Sequence, residues 1–186
     1  GPGGICITRM VAGAGVPQLS AIVDCANVAK KSHIPVVADG GTNYPGDMIK
    51  ALAGGASTVM LTGWLAGTDE SPGNIILRKG QKYKVHRGAA SYTAVMERKL
   101  AGSVNGQMRK DLAEQKDDPD SSDAIVAEGV ESFIPYKGAA KDVIDQLTGA
   151  IRSGMSYSNA LSVPDLWRRA RFIRITPAGF RESTQH

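Results

Sequence analysis

The sequence has only two cysteines, few aromatic residues and no long apolar run. Cys6 and Cys25 are too few to form a disulfide framework in 186 residues. No apolar segment approaches the roughly 20 residues that a membrane-spanning helix needs, and no signal peptide is visible, so we expect a cytoplasmic protein without a membrane partner. Aromatic residues make up 5% of the chain and its net charge is +4, which argues against nucleic acid as a partner and suits an anionic ligand.

The first third of the chain has the alternating pattern of a parallel α/β sheet. The stretches PQLSAIVDCANVAKK and GDMIKALAGG each place apolar residues on one helical face. Short apolar runs at 34–38 and 58–61 follow them and predict buried strands. Two strand–helix units cannot close a sheet. We therefore predict an α/β fold that is the C-terminal part of a (β/α)8 TIM barrel, whose earlier strands lie upstream of this sequence.

The remaining chain predicts a hairpin, a long polar insertion and further helices. NIILRKGQKYKVHRG indicates a hairpin that turns at Lys79-Gly80. Residues 97–123 are polar and charged, with a possible helical stretch at 108–115, and they fit either a surface loop or a mobile flap. AKDVIDQLTGAIRSG predicts a helix, and SVPDLWRRARFIRIT predicts a short helix followed by a strand-like run.

The two cysteines stand in different settings. Cys25 lies in an apolar-periodic stretch and is interpreted as a structural helix residue. Cys6 lies in the glycine-rich stretch GPGGICITRMVAGAG, where a thiol could act as a nucleophile or could be a small buried apolar residue. Thr8 could position or deprotonate a water, or only form a loop hydrogen bond. His33 and His86 lack metal-ligand spacing, so neither is predicted to bind a metal.

Glycines mark the predicted carboxyl ends of both strands. Asp39-Gly40-Gly41 follows the first strand and Thr62-Gly63 follows the second. Glycine allows an anion such as phosphate to approach backbone N–H groups closely, although glycine at strand ends is common without any ligand. In a barrel, both positions and the Cys6 loop would lie on the same face, where barrel enzymes carry their chemistry.

Several blocks together resemble one family of enzymes. GPGGICITRMVAGAGVPQLSAI is similar to the catalytic loop of the IMP dehydrogenase/GMP reductase family, and further similar blocks follow in the family's order: IPVVADGG, GDMIKALAGGA, VML, LAGTDESPG, EGVESFIPYKG, IRSGMSY and ARFIRITPAGFRES. Residues 92–123 lie outside the resemblance. The family implies one partial catalytic barrel domain over 1–186, with a catalytic cysteine loop at 1–16, a mobile flap at 92–127, and a C-terminal barrel helix and tail at 128–186.

The resemblance implies oxidation of IMP to XMP with NAD, through a covalent bond between Cys6 and C2 of the purine. Thr8 would help to activate water. The substrate-binding residues would be Asp39, Gly40, Gly41, Thr62, Gly63, His86, Gly88, Ala89, Ala90 and Glu128. Gly1 and Thr8 would contact the cofactor. Potassium would bind the carbonyls of Gly1, Gly3 and Cys6, together with residues of a neighbouring subunit in a homotetramer, namely Glu182, Ser183 and Thr184.

The sequence departs from the family pattern at several of these positions. Gly4 and Gly63 stand where the family has serine, and His86 stands where it has a phosphate-binding tyrosine. The Arg-Tyr pair of the dehydrogenase flap does not occur in 97–123, and Lys116 lies nearest to the place of the arginine. The absence of the Arg-Tyr pair favours GMP reductase, which forms IMP from GMP with NADPH. The blocks after the flap favour IMP dehydrogenase. An inactive nucleotide-binding fragment is the third alternative.

Overall fold

The structure, a computed structural model, describes residues 2–104 and 127–183, the side chains of 99–104 excepted. Its first part contains helix α1 (Thr8–Val11), helix α2 (Gln18–Ala29) and a 3-10 turn (Lys30–Ser32), and then strand β1 (Val37–Asp39), helix α3 (Pro45–Ala53), strand β2 (Thr58–Met60) and helix α4 (Thr62–Leu65). The predicted alternation is confirmed. Both strands are shorter than the apolar runs at 34–38 and 58–61 that predicted them.

Strands β1 and β2 form a parallel pair in which Ala38 lies opposite Val59. Ala38 is buried, but Val37 and Met60 are exposed. Within the described residues each of the two strands has only the other as a neighbour. An open pair of this kind leaves backbone groups unpaired on both outer edges, as expected for a portion of a larger parallel sheet.

Two small apolar clusters hold the helices around this pair. Ile22 of α2 packs with Ala38, Ala51 and Ala56 in one cluster. The second cluster forms around Leu52 of α3 and reaches the C-terminal helices through Ala160 and Leu166. Helix α3 begins at Pro45, and the carboxylate of Asp47 accepts the backbone N–H of Tyr44 at 2.9 Å, which satisfies a donor that the helix leaves free.

The hairpin prediction is confirmed. Strands β3 (Ile75–Arg78) and β4 (Gln81–Arg87) pair in antiparallel fashion. Lys79 (φ 50°) and Gly80 (φ 76°) form the two-residue turn, and both are in the left-handed region that such a turn requires. A third strand, β5 (Glu131–Pro135), pairs with β4 and lies opposite Tyr83–Arg87. This pairing brings the chain that follows the polar insertion back beside residues 88–91.

The C-terminal part is helical. Helix α6 (Ala140–Tyr157) confirms the predicted helix, and α7 (Val163–Arg169) confirms the short one, which begins where Asp165 N–H donates to the Ser162 hydroxyl. Helix α8 (Pro177–Glu182) follows. The prediction of a strand-like run was wrong: residues 170–176 form neither a helix nor a strand, they pair with no strand of the described residues, and Ile173 is 84% exposed.

Two further findings concern the polar insertion and Cys25. Helix α5 (Tyr92–Val104) occupies the beginning of the predicted flap, a helix that the sequence did not indicate, and the possible helix at 108–115 lies outside the described residues. Cys25 lies in α2 as predicted, but it is exposed and does not belong to the apolar core.

In the described chain, no helix has an apolar stretch sufficient to cross a membrane.

Candidate active site

The glycine-rich loop turns back on itself before α1 and presents Cys6 at the turn. The Cys6 N–H donates to the carbonyl of Gly3 at 3.1 Å, which closes the turn. Cys6 also forms an isolated antiparallel bridge with Gly129. The thiol is half-buried and forms no disulfide within the described residues. It therefore remains accessible to a reactant while its backbone is fixed on both sides.

Three side chains form a continuous polar chain at this turn. The Sγ of Cys6 lies 3.1 Å from Oγ1 of Thr8, and that hydroxyl donates to Oε2 of Glu128 at 2.8 Å. Thr8 has a single hydroxyl proton, so it cannot donate to both neighbours at once. While Thr8 donates to Glu128, the Cys6 S–H donates to Thr8. Once Cys6 is a thiolate, either the hydroxyl turns to the sulfur or the Thr8 backbone N–H holds the charge.

The surroundings of Cys6 favour the thiolate. The Thr8 hydroxyl, followed by the Thr8 backbone N–H, lowers the pKa of the Cys6 thiol below its ordinary value, and burial opposes this only partly. Since the thiolate is the reactive form, a lowered pKa increases the fraction of enzyme that is ready to attack near neutral pH.

We expect Thr8→Val to shift the reactivity of Cys6 to higher pH. The substitution removes the hydroxyl that stabilises the thiolate and keeps the backbone N–H, so the pKa rises toward its ordinary value and alkylation at pH 7 slows. Iodoacetamide labelling across pH, followed by peptide mass spectrometry, measures this directly. Cys25 is exposed on α2 and reports on the reagent in the same sample. An unchanged pH midpoint for Cys6 would contradict a role of the hydroxyl in holding the thiolate.

Glu128 reaches Thr8 because its backbone segment, 128–130, lies between two others. On one side Ile7 N–H donates to the Glu128 carbonyl at 2.8 Å, and Val130 N–H donates to the carbonyl of Ile5 at 3.0 Å. On the other side Glu128 N–H donates to Ala90 at 3.1 Å. The predicted residues Gly88, Ala89 and Ala90 thereby come beside segment 128–130, on the opposite side from the cysteine loop.

Gly129 forms backbone bridges to both neighbouring segments, at Cys6 and at Ser91. A Cβ at this residue would lie 3.0 Å from the backbone N of Ser91 and 3.2 Å from the backbone C of Ala90. We expect Gly129→Ala to push the segments apart, destabilise the protein by about 1–3 kcal/mol and lower turnover. Gly149→Ala in α6 is the matched control, because a Cβ there meets nothing within 4 Å. It should stabilise by about 0.5–1 kcal/mol.

Urea unfolding and steady-state turnover of the full-length protein check both glycine variants. Equal effects of Gly129→Ala and Gly149→Ala on stability would contradict the close approach described for Gly129.

A cavity of about 300 Å³ lies next to the cysteine loop. Its walls come from the loop, from the end of β1 and from the beginning of α4, and the residues that line it are Gly3, Gly4, Gly40, Gly41, Thr42, Asn43, Thr62, Gly63, Trp64 and Lys137. Gly40 (φ 88°) and Gly41 (φ 73°) both need the left-handed region, so the chain turns sharply after Asp39. The structure thus brings the predicted strand-end glycines and the cysteine loop to one cavity.

Two other predicted residues, Asp39 and His86, are not among the residues that line this cavity. Asp39 ends β1 and is exposed, while its backbone carbonyl accepts from Gln18 Nε2 at 2.8 Å. His86 is half-buried on β4 and is not part of the cavity lining given above. Burial, followed by the charge of Lys137, lowers the pKa of His86 and favours its neutral form.

Lys137 is a site residue that sequence reasoning missed. Its Nζ donates to the carbonyls of Gly63 (3.0 Å) and Trp64 (2.9 Å). The side chain is exposed, but loss of water around the ammonium group still lowers the pKa of Lys137. The block EGVESFIPYKG carried the signal, since its lysine and glycine follow β5 within three residues, as Gly40 and Gly41 follow β1.

The predicted cation ligands are only partly within the described residues. The Gly3 carbonyl accepts the Cys6 N–H, and Glu182 and Ser183 lie at the end of α8. Gly1, Thr184 and Lys116 lie outside the described residues. In the described part of the chain no cluster of three or more His, Cys, Asp or Glu side chains could hold a metal ion.

Comparison with known proteins identifies the family. The model of the IMP dehydrogenase / GMP reductase domain matches residues 1–186. The chain belongs to the IMP dehydrogenase/GMP reductase family. It is 48% identical to a GMP reductase of Leishmania donovani and 45% identical to an inosine-5'-monophosphate dehydrogenase of Nitrosopumilus maritimus, and all of the chain aligns with 35% and 37% of their respective lengths. The chain thus spans about a third of these relatives.

A solved structure of the family resembles this one closely. A GMP reductase variant from Trypanosoma brucei, in complex with guanosine 5'-monophosphate, superposes with a TM-score of 0.84 at 45% identity, over 100% of this chain and 35% of that one. The prediction that the chain forms part of a (β/α)8 barrel is confirmed. Relatives named IMP dehydrogenase and relatives named GMP reductase are similar to the chain at nearly equal identity. The comparisons therefore establish a family of oxidoreductases that act on purine nucleotides, and they do not decide between the two activities.

Proposed function

We propose that the protein containing this chain is an IMP dehydrogenase, which oxidises IMP to XMP with NAD. One observation carries the proposal: the chain from Cys6 through Thr8 to Glu128 lies next to a glycine-lined cavity. It joins a nucleophile of lowered pKa to a carboxylate that can accept a proton. Both functions are needed in a reaction where a thiol adds to a purine and water later hydrolyses the bond between them.

The residues divide the reaction into two parts. The Cys6 thiolate would form a bond to C2 of the purine. NAD, when bound, would supply the acceptor for the hydride that leaves C2. Water then adds to C2 while its proton passes through Thr8 to Glu128, and the C2–S bond breaks to release XMP and the thiolate. Asp39 would bind the ribose hydroxyls, and Gly41 and Gly63 the 5′-phosphate.

This arrangement offers a way to activate water without the Arg-Tyr pair that 97–123 lacks. Thr8 and Glu128 are hydrogen-bonded, as a hydroxyl and its base should be. Lys116 would be a second, weaker aid, since its ammonium group lacks the planar fork of arginine.

GMP reductase is the second candidate. The missing Arg-Tyr pair favours it, because the same Thr8–Glu128 pair could protonate a leaving ammonia instead of deprotonating water. The similarity to the reductases of Leishmania donovani and Trypanosoma brucei also supports it. The blocks after the flap resemble the dehydrogenase, and for that reason we place the dehydrogenase first.

Incubation of the full-length protein with two substrate pairs tests the proposal. IMP with NAD should yield XMP, detected by liquid chromatography, and GMP with NADPH should yield no IMP. Product formed only from GMP and NADPH would establish the reductase instead. Absence of both products would indicate an inactive nucleotide-binding relative.

Potassium and a homotetramer belong to the same proposal. The carbonyls of Gly3 and Cys6 provide oxygen ligands of the type that potassium prefers. We propose that Glu182, Ser183 and Thr184 of a neighbouring subunit complete the set. Turnover should then depend on potassium, and the full-length protein should elute as a tetramer in light-scattering chromatography.

A further inference from the structure

Lys137 gives the cavity beside the cysteine loop its positive charge. Of the described residues that line this cavity, Lys137 is the one with a formal charge. Gly4 and Gly63 contribute no side-chain donor, and the other polar side chains there are neutral. An anion that enters the cavity would therefore find one full positive charge and a surface of backbone and neutral polar groups.

The hydrogen bonds of Lys137 leave it one donor for a ligand. An ammonium group has three N–H donors. Two of them bind the carbonyls of Gly63 (3.0 Å) and Trp64 (2.9 Å), and the third has no acceptor within the described residues. The Trp64 indole in turn donates to the carbonyl of Thr42 at 2.8 Å. The carbonyl oxygens of Gly63, Trp64 and Thr42, which would repel an anion, thus already accept hydrogen bonds from Lys137 or Trp64.

A partly desolvated ammonium group interacts more strongly with an anion than a fully hydrated one, because a lower local dielectric strengthens the attraction. The ammonium of Lys137 has lost part of its water, which lowers its pKa, and its charge contributes to the lowered pKa of His86.

We propose that Lys137 binds the 5′-phosphate of a nucleoside monophosphate with its third N–H, while the other two fix the wall at Gly63 and Trp64. The identity of the ligand rests on the proposed function. Lys137 would therefore decide that the site takes nucleotides and rejects nucleosides.

The test compares ligands with and without phosphate. Binding of IMP, inosine, GMP and guanosine to the full-length protein is measured by ligand-observed NMR competition, which detects millimolar affinities. Lys137→Met should weaken the binding of IMP and GMP about 10- to 100-fold, as expected for a lost charged hydrogen bond. The affinities for inosine and guanosine should change less than twofold. Lys137→Arg keeps the positive charge and should therefore lose less affinity for IMP and GMP than Lys137→Met.

Lys141→Met is the matched control. Lys141 lies four residues further along, is exposed in α6 and pairs with Asp145, so its loss should leave all four affinities unchanged. Equal weakening of nucleotides and nucleosides by Lys137→Met would assign Lys137 a purely structural role and overturn the inference, as would unchanged IMP affinity. A wild-type protein that prefers nucleotides through Lys137 but forms no product would refute the proposed function and leave this inference standing.

Discussion

Replacement of Cys6 by alanine should lower nucleotide turnover by about 10⁴-fold or more, because the nucleophile of a covalent mechanism cannot be replaced by the rest of the site. The variant should also form no adduct with IMP in intact-mass spectra. Cys6 is half-buried in a loop held by backbone hydrogen bonds, so the loss of one sulfur should leave the fold intact.

Cys25→Ala is the control for Cys6→Ala. Cys25 is exposed in α2, away from the polar chain of the active site, so its variant should keep full activity and still form the adduct. Turnover by Cys6→Ala above a tenth of the wild-type rate would exclude the covalent mechanism proposed for this family member.

Replacement of Glu128 by glutamine should separate the two parts of the reaction. Glutamine keeps the size of the side chain and an oxygen that can accept from Thr8, but it cannot take up a proton. Formation of the Cys6 adduct should persist, whereas its hydrolysis should slow by about 10²- to 10⁴-fold, the usual contribution of a general base. Intact-mass spectra after mixing with IMP and NAD should show the adduct accumulating while XMP appears slowly.

Glu131→Gln is the matched control, since Glu131 lies three residues further along in β5, is exposed and is not part of the Cys6–Thr8–Glu128 chain. It should hydrolyse the adduct at the wild-type rate. If Glu128→Gln turns over normally, the water must be activated by another group, and Lys116 becomes the first candidate.

The sequence alone determined several of the local elements, although it did not indicate α5 or β5. Apolar periodicity predicted α2, α3 and α6, since one face of each must be buried, and Lys79-Gly80 predicted the hairpin because few residue pairs adopt its left-handed turn. The prediction of a strand-like run at 170–176 was wrong because strand formation also needs a neighbouring strand, and a local pattern carries no information about one.

Only the tertiary structure decided how the active site is assembled. Thr8 and Glu128 lie 120 positions apart in the chain, and their hydrogen bond depends on the pairing of β4 with β5 and on the close approach at Gly129. Lys137 reaches the cavity for a similar reason, because the residues after β5 return to the carbonyls of Gly63 and Trp64. Periodicity and residue type report which face a side chain occupies, whereas contacts across such separations follow from how the strands pair.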